Sequence, residues 1–192
     1  MEELKQLDKV LERDDRLSYF GVTLEYLHRR AAAIVISAAA PERVHDQFTI
    51  ARNALVYSWF FYPFQPVAFL YSILAIEVAL SARVKAAKPE MFAGLREPTL
   101  YPLLEYALKQ RWITDAGFDL PEPGTAQVPD KIAQCYQNIP ADQCFSYSLL
   151  DVLVELRNSL AHGEYMLAPN MASLLDRGAE IINQLFPADV RA

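Results

Sequence analysis

Glycine is scarce in this chain, at six residues in 192. Phosphate loops depend on clustered glycines that let backbone amides close around an anion, and no such loop occurs here. Cysteine is scarcer. Cys135 and Cys144 are too few for a disulfide scaffold and have no partners at metal-site spacing, so they read as reduced thiols of a cytoplasmic protein. There are three histidines and no cluster of carboxylates of the kind that holds magnesium, so neither a metal nor another cofactor is expected. Positive charge is in deficit: 18 Lys and Arg stand against 24 Asp and Glu, for a net charge of -6 and a pI near 5.1. That balance argues against non-specific nucleic-acid binding, which needs cations to replace condensed counterions, but it leaves room for a local basic pocket. The opening residues, MEELKQLDKVLERDD, are charged throughout and lack the apolar core of a signal peptide. No internal repeat and no convincing strand pattern appears.

What the chain does have is apolar surface. Hydrophobic residues make up 53%, with ten Phe and ten Tyr, enough for a core and for a buried surface between subunits. The length suits a single domain spanning residues 1–192. The periodicity predicts an all-α fold of five to six substantial helices. In residues 2–17, Leu4, Leu7, Val10, Leu11 and Leu17 recur at near-helical spacing, as in a surface helix with one buried stripe or a partner-docking arm. A second helix spans 22–40 and carries His28, read as structural, beside Arg29 and Arg30 on a solvated face. Pro41 suits the first turn of a third helix, 42–60. Residues 67–87 form a fourth.

The apolar run 54–82 is divided by Pro63 and Pro66. The uninterrupted pieces fall short of the ~20 apolar residues of a membrane span, and Glu77 lies in the second piece. A buried helical hairpin is the expected form. Glu77 itself is costly to bury without a partner. Either it faces solvent or pairs with Arg83 or Lys85, or it buttresses an arginine of the active segment described below through a bidentate pair. A linker, 89–98, leads to a short amphipathic helix, 100–112. Residues 114–141 contain Pro121, Pro123, Gly124, Pro129 and Pro140 and read as a long loop with one helical turn near 131–136. Helices at 145–162 and 170–186 complete the chain.

The first of these last two helices carries the chemistry. Phe145, Leu149, Val152, Leu153, Leu156 and Leu160 form a stripe at helical spacing. It ends in Arg157-Asn158-Ser159-Leu160-Ala161-His162-Gly163, and Gly163 suits a left-handed cap. Asn158 and His162 share a ridge, whereas Arg157 and His162 are roughly 140° apart around the axis. A second copy across a two-fold axis would gather two Arg/His sets around one cleft. Histidine ordinarily exchanges a proton near neutral pH, arginine holds phosphate by parallel hydrogen bonds, and Asn158 can orient the ring or a phosphate oxygen. These are the parts of a metal-independent RNase. Basic residues also end helices routinely, complementing the carbonyls there, and from spacing alone that plainer reading is preferred.

A resemblance changes the weights. The segment Arg157 to Gly163 resembles the signature of HEPN-domain proteins: Arg, a polar residue that is often Asn, three to five further residues, then His. Ala75-Ile76-Glu77-Val78-Ala79-Leu80 is similar to that family's earlier core helix, which often carries a glutamate. The stretch from Thr99-Leu100-Tyr101-Pro102 to Trp112-Ile113 is similar to a helix preceding the motif helix in several subgroups. The resemblance covers about residues 45–187. It implies a HEPN-like bundle whose motif lies at a homodimer interface, with Arg157 and His162 catalytic, Asn158 assisting and Glu77 supporting, and no metal. It further implies a metal-independent endoribonuclease of a defence or toxin-antitoxin type. The alternative is a non-catalytic module that binds a nucleotide or a protein partner, as other members do. Toxins of one subgroup pair with a nucleotidyltransferase antitoxin that modifies a tyrosine two residues after the histidine. Here Glu164 stands at that position, with Tyr165 one residue further. Glu164 also adds negative charge where RNA would approach.

Overall fold

A computed structural model describes residues 4–94, 96–120, 139–162 and 171–188. Among these residues the chain is all-helical, with six α-helices and no strand. They are α1 (Leu24–Ala33), α2 (Glu42–Tyr57), α3 (Phe64–Ala87), α4 (Leu100–Lys109), α5 (Cys144–Ala161) and α6 (Met171–Leu185), joined by short 3₁₀ turns. The helical turn expected near 131–136 lies outside the described residues, as do Cys135, Gly163, Glu164 and Tyr165.

The bundle is wrapped around α3, which packs against α2, α4, α5 and α6. Its sequence is apolar nearly all round, and a helix without a polar face must be covered on several sides. Ten of its residues are buried, among them Phe69, Ile73, Ile76 and Leu80. Pro66 does not interrupt it. The helix begins at Phe64, so the proline falls in the first turn, where its missing N–H has no intrahelical acceptor to lose. The expectation of two short pieces is therefore corrected: α3 is one helix of 24 residues, long and apolar enough to cross a membrane by length and composition, with half of its most apolar window buried in the bundle.

α1 ends seven residues before the periodicity suggests. Thr23 caps its start by accepting from the Tyr26 amide at 3.1 Å. At its end Ile34 is extended, and the side chain of Asn183 on α6 takes over the backbone that follows. Asn183 Oδ1 accepts from the Ser37 amide at 2.6 Å and its Nδ2 donates to the Val35 carbonyl at 3.2 Å. This tertiary satisfaction replaces the helical hydrogen bonds that residues 34–40 would otherwise make.

Residues 4–20 depart further from expectation. They form 3₁₀ turns at Leu7–Lys9 and Asp15–Phe20 rather than an α-helix. Of the apolar stripe only Leu17 is buried, while Leu4, Leu7, Val10 and Leu11 are exposed. The cause is Asp14, whose carboxylate is drawn into backbone binding that competes with helix. It accepts from the Tyr62 amide at 2.9 Å and from Arg16 Nε and Nη2 at 2.8 and 2.7 Å. The Asp14 amide donates to the Trp59 carbonyl at 2.9 Å, Lys5 Nζ donates to the Phe60 carbonyl at 2.7 Å, and the Arg16 guanidinium lies 5.0 Å from the Tyr62 ring centre. The segment thus satisfies the corner between α2 and α3.

Close approach of α3 and α6 depends on Gly178. A Cβ there would lie 2.2 Å from Ser72 Oγ and 3.6 Å from Phe48 Cε2. Ser72 Oγ is buried and has no hydrogen-bond partner among the described residues, so removing it forfeits no bond there. Gly178→Ala is expected to cost about 1–3 kcal/mol in urea unfolding, against the ~1 kcal/mol that alanine gains by helix propensity. Ser72→Ala alone should be neutral or stabilising, and the double variant should recover most of the loss. Additive effects of the two substitutions would refute the contact.

Asp14 yields a pH prediction. Burial by itself raises its pKa, but the Arg16 side chain, the Tyr62 and Arg16 amides and the Arg16 charge outweigh it, lowering the value from 3.8 to about 2. A depressed carboxylate stabilises the fold fully above its unfolded pKa, and that contribution is lost as pH falls through the folded one. Between pH 4 and pH 2 the wild type should lose about 2 kcal/mol more unfolding free energy than Asp14→Asn. Parallel stability profiles for the two proteins would contradict this.

Candidate functional site

The motif helix, α5, is clamped at its start by residues that arrive from elsewhere in the chain. Gln143, at the N-cap, is 1% exposed. Its Nε2 donates to the carbonyls of Leu108 and Ile113 at 3.0 and 2.8 Å, filling the vacancies where α4 ends. Asp115 accepts from the amides of Phe145 and Ser146 at 3.0 and 2.8 Å and from Ser146 Oγ at 2.6 Å. A carboxylate on these amides is an N-cap supplied in tertiary form, and it complements the positive helix end. Arg111 turns the chain after α4 with a left-handed φ of 56°, which lets the Trp112 amide reach the Ala107 carbonyl at 3.0 Å. Its guanidinium pairs with Asp142, and that hydrogen bond and charge hold the Asp142 carboxyl below the usual carboxylate range. Phe118 meets Phe145 edge to face at 5.1 Å between ring centres.

Along α5, Ser146, Leu150 and Leu153 are buried. Arg157 continues the same ridge at the next i+4 step, and it is half-buried, with an aliphatic stem suited to the bundle surface. The apolar stripe expected from the sequence is only partly covered. Leu153 is buried, Phe145, Leu149, Leu156 and Leu160 are half-buried, and Val152 is 43% exposed. Among the described residues Val152 is the exposed member of this stripe, the half-buried ones packing against the core.

The last turn holds the motif. His162 is the C-cap residue, exposed, its amide donating to the Asn158 carbonyl at 2.9 Å. Asn158 is also exposed, and its Oδ1 lies 3.5 Å from Arg157 Nη1, at the long limit of a hydrogen bond. Arg157 forms no ion pair with a carboxylate among the described residues, and no hydrogen bond joins it or the Asn158 side chain to the His162 ring. The structure therefore brings Arg157 and Asn158 together and sets His162 apart on the same helix end.

Glu77 is not part of this group. Within the chain it makes no ion pair with Arg157. It is half-buried and lines a cleft whose walls come from α2, α3 and residues 92–98, none from α5. The suggested alternative partners are also engaged elsewhere. The Arg83 guanidinium lies 5.0 Å from the Trp112 ring centre and Lys85 Nζ lies 5.8 Å from that of Phe92. Within the chain the buttress expectation is therefore not met, because Glu77 lines this cleft and not the side of α3 near α5. No group of three or more His, Cys, Asp or Glu that would hold a metal occurs among the described residues.

The residues that sequence reasoning missed are Arg111, Asp115 and Gln143, which aim α5. The partners of Asp115 lie 30 and 31 residues away, so no local pattern marks it. Asp115→Ala should cost about 0.5–2 kcal/mol, the value of an N-cap, read by chemical denaturation. Amide hydrogen exchange should quicken at Phe145 and Ser146. Unchanged exchange there would show that the cap does not hold the helix.

No family model matches this chain, and no curated protein or solved structure matches it either.

Proposed function

We propose that this chain is a HEPN-like, metal-independent endoribonuclease of a defence or toxin-antitoxin type, acting as a homodimer on single-stranded RNA in the cytoplasm. One observation carries the reading. The exposed last turn of α5 presents Arg157 without a carboxylate partner among the described residues, beside Asn158 and His162. A guanidinium left unpaired is free to take a phosphate by parallel hydrogen bonds. His162, on the same helix end, supplies a group able to accept a proton.

In the reaction so supported, His162 takes the proton of a ribose 2′-hydroxyl. The 2′-oxygen attacks the adjacent phosphorus, Arg157 stabilises the charge that builds on the phosphoryl oxygens, and the bond to the 5′-oxygen breaks as that oxygen takes a proton from water. The products are a 2′,3′-cyclic phosphate and a 5′-hydroxyl. Asn158 orients a phosphate oxygen or the imidazole. The partly uncovered apolar face of α5, with Val152 its exposed member, supports pairing with a second copy. Two copies would place two Arg157/His162 sets around one cleft. An antitoxin partner would act by covering that cleft.

The net charge of -6 and Glu164, beside the motif, favour a second reading, in which a non-catalytic module of the same kind dimerises and binds a nucleotide or a protein partner. Incubation with single-stranded RNA in EDTA separates the two. The wild type should leave cyclic phosphate ends, and His162→Ala should cut about 10²–10⁴-fold more slowly. An inactive wild type, or a variant of equal activity, overturns the nuclease reading. An inactive dimer stabilised by nucleotide is what the second reading expects, and a monomer without any ligand response overturns both.

A further inference from the structure

The cleft that contains Glu77 has a volume of about 560 Å³, within the range of small-molecule sites. Its floor is the outward strip of α3. Glu77, Ser81 and Lys85 stand on one ridge at i, i+4 and i+8, with Leu74, Val78 and Ala82 beside them. Glu42 and Arg43 from the start of α2 form one rim, and Phe92 and Glu97 the other.

Three features of the cleft select a ligand. Glu77 is half-buried between apolar neighbours and has no hydrogen-bond or ion-pair partner among the described residues, although a carboxylate withdrawn from water calls for donors. The lysine on its own ridge is turned to the Phe92 ring. The charged side chains of the lining, Glu42, Glu77 and Glu97 against Arg43 and Lys85, sum to one negative charge, so the cleft as a whole favours a cation. The apolar row beside Glu77 then accommodates methylenes rather than a hydrated ion.

We propose that this cleft binds a linear guanidino-alkylamine. Its guanidinium donates two parallel hydrogen bonds to the Glu77 carboxylate. Its methylene stem lies along Leu74 and Val78, and its distal ammonium is held at the rim by Glu42 or Glu97. The site shares no residue with the motif on α5, so it can be tested apart from RNA cleavage.

The test is isothermal titration of the full chain with agmatine, which has this architecture. Wild type should bind saturably with Kd below about 1 mM. Glu77→Gln keeps the shape, removes the charge and should weaken binding at least roughly tenfold. Ser81→Phe, which fills the floor, should abolish binding, and it tests the cleft independently should Glu77→Gln fail to fold. Glu105→Gln, on α4 and paired with Lys109 outside the cleft, should bind as wild type does, and so should His162→Ala. Putrescine, which lacks the fork, should bind more weakly than agmatine. Absence of saturable agmatine binding, or wild-type affinity in the folded Glu77 and Ser81 variants, overturns the site. Equal affinity for putrescine overturns the guanidinium assignment.

Discussion

Covering α3 is the constraint from which the rest of the architecture follows. A 24-residue helix that is apolar almost all round has no face it can leave in water. Four helices are therefore laid along it, and their order around it fixes where every other element can go. The fit is close enough that α6 meets α3 through a glycine, with Ser72 Oγ occupying the space a Cβ would need. A strip around Leu74, Glu77, Val78 and Ser81 stays partly open midway along the helix. The one acidic side chain of α3 falls on that strip, where a charge escapes the cost of full burial.

A bundle built in this way has many helix ends close to its interior, and each end leaves backbone groups without intrahelical partners. Polar side chains from distant parts of the chain satisfy them. Asp14 serves the α2–α3 corner, Asn183 the exit from α1, Gln143 the end of α4 and Asp115 the start of α5. Apart from the exposed Asn183–Val35 bond these contacts are buried or half-buried, where a hydrogen bond lost on one side leaves an unsatisfied group on the other. They act less as extra stability than as instructions for where each helix stops. That explains how a chain with six glycines makes so many sharp joins.

The sequence made the helices themselves legible, because the signal for each is its own apolar period. α2, α3, α4, α5 and α6 all lie where the periodicity placed them, within a few residues. The failures share one physical cause. Residues 4–20 and 34–40 have helical periodicity, yet their backbone is claimed by Asp14 and Asn183 through contacts tens of residues apart, and no local pattern encodes such a contact. Pro66 misled for the opposite reason, since a proline is a breaker or a starter according to its offset from an N-terminus that cannot be read to the residue. Of the motif, Arg157, Asn158 and His162 were legible as a helix end. Glu77 could be placed on its helix but not on a side of it, because a helix apolar all round carries no moment to orient it.

The asymmetry of α5 bears on what its free end can do. Its first turn is held by Asp115, Gln143 and the Arg111–Asp142 pair, whereas its last turn carries exposed side chains. A rigid start and an open end aim a short constellation without burying it. Electrostatics then limits one copy acting alone. The carbonyl end of a helix carries about half a negative charge, so Arg157 leaves a surplus of only about half a positive charge there, in a protein of net charge -6. That is a weak hold on a phosphodiester. Two helix ends brought together sum their surpluses, and exclusion of water between them strengthens each contact to phosphate. The uncovered apolar face that includes Val152 would drive such a pairing by burial. If the chain acts on RNA as proposed, dimerisation would be part of the chemistry, because the apolar surface of α5 would supply the association that the sparse positive charge of its last turn requires.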